Sequence, residues 1–230
     1  MEVARLIADI ESAYNPNIEL IFAYRFDCEA PDNATLYRCS QKMAISQFKT
    51  KTKWYGWPAG PNAMAMDCMM EAKRCSDAGI WAANDLVLLL EPDVCPLSRT
   101  WLADLRDEWH KARAEHAIIM GSWRNSGGAH GHINGNCGII PNFLNVVRAD
   151  QLVNLDTAWD CVIAPYVKHR WYVTGLIKNS FQTEHIAPSE IEKPEVGDRA
   201  PVLIHGIKSS DALDYAKQKL LIESYDIGAL

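Results

Sequence analysis

The chain has no long apolar run. Its longest purely apolar stretch is the five residues Leu86-Val87-Leu88-Leu89-Leu90, far short of the roughly 20 that a bilayer-spanning helix needs. No Ser/Gly-rich spacer, low-complexity tract, internal repeat or block of like charge divides it, so nothing forces a second domain. The N-terminal segment carries Glu2, Asp9 and Glu11 and lacks the basic-then-apolar pattern of a secretory signal. The seven cysteines form no CxxC pair. Zinc-ligand spacing is therefore missing, a disulfide framework is not expected, and the thiols read as reduced residues of a cytoplasmic protein. Nor is there an excess of positive charge. The formal net charge of -6 gives no electrostatic case for broad nucleic-acid binding, although Lys49, Lys51 and Lys53 lead into Trp54 and Trp57, and Lys168-His169-Arg170-Trp171 forms a second basic-aromatic cluster. A Walker loop, a GxGxxG turn after a strand and a GxSxG elbow are all missing, which argues against P-loop kinase, dinucleotide-dehydrogenase and hydrolase chemistry.

What is present is alternation. Val3, Leu6, Ile7 and Ile10 make a helical stripe, and residues 18–24 are an apolar run of strand length. Asp32 offers an N-cap to a helix over 34–43, and residues 44–55 fit strand or loop. The turn 56–62 (Gly-Trp-Pro-Ala-Gly-Pro-Asn) feeds a helix over 63–78 with a Met-bearing face, and Gly79 fits its C-terminal end. Residues 85–90 give the strongest strand, and its continuous apolar character predicts burial on both faces, as in a parallel sheet. Ser98 is placed to cap a helix to about residue 110. Strands follow at 117–123 and 133–141 around a Gly-rich loop at 125–131. Helices are expected at 142–149 and 157–170, strands at 172–177 and 201–204, loop at 187–200 and a closing helix at 211–223. This order predicts an α/β protein with a mainly parallel central sheet flanked by helices, with ligands beyond the carboxyl ends of the strands.

Several residues on that rim carry chemistry. Glu91 and Asp93, two positions apart after the strand, can both reach one hard cation, and Mg²⁺ or Mn²⁺ takes oxygen ligands while leaving room for diphosphate oxygens. Arg25 and Asp27 follow the first strand. Pro58, Gly60 and Asn62 stand at a helix start, where backbone N–H groups favour an anionic or hydroxylated ligand. Asn134 and Asn136 offer side-chain amides on either side of the small residue Gly135. Asp156 and Asp160 share a helix face, with Asp156 read as the N-cap and Asp160 as a carboxylate able to take a proton from a hydroxyl. Trp54, Trp57 and Trp171 could stack on a sugar or base, and Trp123 falls on the same rim as Glu91 and Asp93. His205-Gly206-Ile207-Lys208 ends the series with an imidazole and an ammonium suited to metal and phosphate. His130 and His132 lie two apart, but without a neighbouring carboxylate a metal pair there is not expected.

Residues 85–97, with an apolar strand ending in Glu91-Pro92-Asp93, resemble the DxD segment of GT-A fold glycosyltransferases, with Glu in place of the first Asp. The order of the other motifs is similar: donor turn 57–62, Asn-Gly segment 132–138, Asp-bearing helix and terminal His-Gly-x-Lys. The resemblance implies a single GT-A-like domain with a donor half over 1–97 and an acceptor half over 98–230. It implies a nucleotide-sugar donor, with UDP as the expected nucleotide, and Mn²⁺ or Mg²⁺ held by Asp93 and His205, with Glu91 on the metal or the donor. Arg25, Asp27, Pro58, Gly60, Asn62 and Lys208 are then expected around the donor. Trp57, Trp123, Asn134, Gly135 and Asn136 fall around sugar and acceptor, and Asp160 is the base. The acceptor hydroxyl is open among a glycan, a protein and a hydroxymethylated pyrimidine in phage DNA. Two other classes stand beside this one: a sugar nucleotidyltransferase, whose Gly/Arg/Lys-rich loop near the N-terminus is not found, and a non-catalytic carbohydrate- or nucleotide-binding module.

Overall fold

A computed structural model describes residues 2–125, 131–148, 156–180, 187–206 and 213–220. The chain begins α1 (Glu2–Ile10), β1 (Asn15–Tyr24), α2 (Asn33–Ser40), β2 (Met43–Lys49) and α3 (Ala59–Asp77). It continues through β3 (Val87–Leu89), β4 (Val94–Pro96), α4 (Trp101–Ala114), β5 (Ile119–Arg124), β6 (His132–Ile139) and a 3-10 turn, Phe143–Asn145. The last elements are α5 (Trp159–Val167), β7 (Trp171–Val173), β8 (Ile177–Asn179), α6 (Pro188–Ile191), β9 (Leu203–His205) and α7 (213–220).

Local chemistry explains much of this. The stripe of α1 buries Leu6, Ile7 and Ile10. The Asp32 carboxylate accepts the Thr35 N–H at 2.8 Å and caps α2. Gly79, at φ +69°, closes α3 with its N–H on the Ser76 carbonyl, a left-handed position that glycine enters without a Cβ clash. Residues 44–49, open between strand and loop, belong to β2, which runs parallel to β1.

The α/β class and a single continuous core stand, with Trp101, Trp109 and Phe143 among its largest fully buried side chains. The mainly parallel central sheet does not. The described strands form three sheets: β1-β2, β3-β6-β5-β7 and β4-β9-β8. Pairing is parallel in β1/β2, β5/β7 and β8/β9 and antiparallel in β3/β6, β5/β6 and β4/β9. Connection length is one cause. Residues 125–131 between β5 and β6 are too few for a parallel crossover, which needs a dozen or more, so β6 returns antiparallel. The apolar run 86–90 is also not buried on both faces. Its residues are half-buried, and β3 lies at one end of its four-stranded sheet.

Smaller expectations shift too. The helix expected over 142–149 is a single 3-10 turn in the described part. The helix expected over 157–170 is α5, whose N-cap position is Ala158 rather than Asp156. The cap position of α4 is Thr100, with the Ser98 hydroxyl 2.8 Å from its Oγ1. Residues 187–200 contain the short helix α6, and β9 extends through His205. Of the methionines on α3, Met69 is fully buried while Met70 faces solvent.

Among the described residues no helix is long and apolar enough to cross a membrane.

Candidate active site

Glu91-Pro92-Asp93 is the bridge between two sheets. Upstream, β3 belongs to the four-stranded sheet; downstream, β4 belongs to the three-stranded one. The backbone at each carboxylate is held by its own sheet. The Glu91 N–H donates to the Asn136 side-chain carbonyl of β6 at 2.8 Å. Asp93 immediately precedes Val94, which pairs in register with His205 of β9. Residues far apart in sequence are therefore brought together by strand register. His205 Nε2 lies 3.0 Å from Glu91 Oε2 and 3.4 Å from Asp93 Oδ1, and the ligand atoms of all three lie within 4.8 Å of one another.

His205 is buried, and its other nitrogen, Nδ1, lies 2.8 Å from the Asn179 side-chain oxygen at the end of β8. That acceptor places the proton on Nδ1 and aims Nε2 at the carboxylates, the arrangement that orients a metal-binding imidazole. Asn179 is itself held by a bond from its amide to the Ser122 hydroxyl of β5. Burial alone would favour the neutral ring. The Asp93 and Glu91 carboxylates outweigh it and push the imidazolium up to about 9.

These groups open into a cleft of about 190 Å³, many times the 10–15 Å³ that holds one water. Its lining includes Trp57, Glu91, Asp93, Asn134, Gly135, Trp159, Asp160, Ser180 and His205. Asp160 enters from the first turn of α5. Its Oδ2 accepts the Gly135 N–H at 2.9 Å and its Oδ1 accepts the Cys161 N–H at 2.9 Å. Burial raises this carboxyl above the ordinary aspartate range, against the lowering effect of His132 and of those N–H bonds. Gly135 is small for a reason: a Cβ there would sit 3.3 Å from the Trp159 ring, which packs over β6 beside Asp160. The start of α5 is tied down by Asn62, fully buried on α3. Its amide donates to the Thr157 carbonyl at 2.9 Å and its oxygen accepts the Trp159 N–H at 2.7 Å.

Seven of the residues singled out from the sequence thus line one cleft: Trp57, Glu91, Asp93, Asn134, Gly135, Asp160 and His205. Others sit elsewhere. Asn62 and Asn136 are buried struts for Trp159 and Glu91: the Asn62 amide bonds backbone at both ends, and Asn136 accepts the Glu91 N–H while donating to the Asn134 side-chain oxygen. Arg25 and Asp27 pair with each other at 2.7 Å outside the lining. Pro58 and Gly60 form the bend into α3 behind Trp57 and Pro61, and Trp123 is a partly exposed side chain outside the lining. Lys208 and His130 lie outside the described residues.

Residues that sequence reasoning did not select are Asn179, Ser180 and Trp159, which support or line the cleft, and His132. The last was set aside for want of a carboxylate. Folding supplies one, since His132 Nε2 lies 3.6 Å from Asp160 Oδ2.

Comparison of the chain with known protein families, with curated proteins and with solved structures finds no match.

Proposed function

We propose that the protein is a glycosyltransferase that moves a sugar from a nucleoside diphosphate, UDP being the expected nucleotide, to an acceptor hydroxyl. The observation that carries this reading is the meeting, in one cleft, of the Glu91/Asp93/His205 cluster with a buried carboxylate, Asp160, on a separate element.

The donor set suits a divalent cation. Two carboxylates and an imidazole fit Mn²⁺, and Mg²⁺ with more water in its shell. Charge points the same way. With Glu91, Asp93 and Asp160 lining the cleft, an anionic diphosphate has no favourable approach until a cation offsets them. Glu91, Asp93 and His205 would hold that cation, and it would supply neutralisation of the departing diphosphate.

Asp160 serves as the general base. Its two backbone N–H bonds fix the carboxylate's orientation. It takes the acceptor hydroxyl's proton as that oxygen bonds to the anomeric carbon. The bond from that carbon to the diphosphate breaks, and its electron pair leaves with the nucleoside diphosphate. Attack from the face opposite the leaving group inverts the anomeric centre. Asn134, whose side-chain oxygen accepts from Asn136, would offer its amide N–H to a sugar hydroxyl beside Gly135 on the β6 side of the cleft.

For the acceptor, one surface observation favours a hydroxymethylated base in DNA over a glycan or protein. Trp57, at the cleft, is 77% exposed. In the same part of the chain Phe26 and Tyr55 meet edge-on, with Arg25 over Tyr55 and Lys53 over Phe26. Aromatic faces with cations beside them suit a flat, polyanionic acceptor.

The test is a panel of nucleotide-sugars with Mn²⁺, offered with free glycans, protein and DNA containing 5-hydroxymethylpyrimidines. Free UDP together with a sugar-bearing acceptor is the expected product pair. Conversion of the nucleotide-sugar to nucleoside triphosphate and sugar 1-phosphate when pyrophosphate is added would point to a nucleotidyltransferase. Tight binding of donor with no release against every acceptor would make the chain a binding module.

A further inference from the structure

His132 opens β6 and is 5% exposed, at the end of the strand away from Ile139 and β3. It does not line the cleft, whereas Asp160 does. Its Nε2 stands 3.6 Å from Asp160 Oδ2, the oxygen that also accepts the Gly135 N–H. Both of its ring nitrogens lie 3.6 Å from the Cys161 sulfur. A buried carboxylate with only neutral N–H donors pays a desolvation cost that a cationic or N–H-bearing partner relieves.

We propose that His132 is the positioning partner of Asp160, holding that carboxylate ionised and aimed into the cleft from the protein side. This rests on the reading of Asp160 as the base of a glycosyl transfer. His132 touches no substrate in this account and acts only through Asp160.

The charges around the pair favour the assignment. On α5 the neighbour is Cys161, whose thiol is pushed up to about 11 by burial and by Asp160 and so stays neutral. On β6 it is Cys137, whose thiol burial keeps protonated, with Asp160 and Glu91 adding to the effect. Across β5, Arg124 pairs in register with His132. From α3 comes the uncharged Asn62. Across the cleft stand Glu91, Asp93 and His205. Among these described residues, His132 is the basic side chain beside the Asp160 carboxylate, its Nε2 3.6 Å from Oδ2. Burial raises the Asp160 carboxyl and His132 is the largest influence opposing that rise. Loss of His132 therefore leaves Asp160 protonated, and idle as a base, to a higher pH. An opposite charge within 4–6 Å moves a carboxyl by one to three pH units.

The experiment has two readouts. The first is the Asp160 side-chain carboxyl followed by NMR across pH in wild type, His132→Gln and Cys161→Ala. The second is transfer activity across pH in the same proteins. The expected result is an Asp160 midpoint about one unit or more higher in His132→Gln, and a smaller rise in Cys161→Ala, which removes only a neutral thiol hydrogen bond from the same carboxylate. In the transfer assay kcat should fall by roughly ten- to a hundredfold at neutral pH and recover as pH rises, with donor KM within about twofold. If His132→Gln does not fold, His132→Asn serves in the same measurements.

An unmoved Asp160 midpoint in a folded variant overturns the proposal. So does a stoichiometric metal that wild type retains and Cys161→Ala loses, because His132, Asp160 and Cys161 are close enough to hold one. A shifted midpoint in a protein that transfers no sugar to any acceptor would support the pairing while rejecting the glycosyltransferase reading.

Discussion

His205 is held by opposing forces, and their balance depends on pH. Its imidazolium persists to about 9 in the folded protein against an ordinary value of 6.5. A raised histidine contributes stability that is full below 6.5 and is lost as pH rises through 9. Metal-free protein should therefore lose roughly 1–3 kcal/mol between these limits, since half-exposed Glu91 is partly screened. His205→Gln should lack that slope, as read by urea unfolding at each pH. A divalent metal held by Glu91, Asp93 and His205 would displace the same proton, so Mn²⁺ affinity should rise over this window. If wild type and His205→Gln show parallel slopes, the ion-pair geometry is wrong. Asp160 behaves in the opposite way, because its charge is costly where it sits. Asp160→Asn removes that cost and sacrifices one backbone N–H bond, worth about 1 kcal/mol. Stability should change by no more than about 1 kcal/mol while turnover drops by 10²- to 10⁴-fold. Thermal unfolding and kcat measured on one preparation separate the two effects.

At the scale of elements, the site depends on strand ends. Gly206 follows β9 at φ +87°, and a Cβ there would meet the Ser180 carbonyl oxygen at 1.8 Å. Only glycine satisfies both the left-handed backbone and that approach. Gly206→Ala should force β8 and β9 apart beside His205, costing several kcal/mol by analogy with other overpacked or strained positions. Calorimetry would reveal it, and a fall of only a few tenths would mean the strand ends are loosely joined. These contacts also explain what could be read in advance. Glu91, Asp93, Asp160 and His205 announced themselves because each is a polar residue at the end of an apolar element, a local pattern. Asn179, Ser180 and His132 did not, because their roles depend on the pairing of β8 with β9 and on the packing of α5 over β6. Asn62 and Asn136 carried the right chemistry but the wrong destination. Amides next to glycines look alike in sequence whether they face a ligand or a neighbouring backbone.

For the whole molecule, the alternation of helices and strands identified the α/β class, but strand direction followed from connection lengths and from which sheet each strand joins. A run such as 86–90 looks doubly buried in isolation. In the fold it is a half-buried strand whose carboxyl end crosses to a second sheet, and that crossing places Glu91 and Asp93 where β9 delivers His205. That junction is the proposed transfer centre. The most direct measurement is UDP release from the nucleotide-sugar that wild type accepts, followed against Mn²⁺ concentration in wild type and Asp93→Asn. Wild type should show saturable, Mn²⁺-dependent release coupled to glycosylated acceptor, and Asp93→Asn should release UDP at least about a hundredfold more slowly, as loss of a principal charge-stabilising group does. Release that is equal in the two proteins, or that ignores Mn²⁺, would contradict the account.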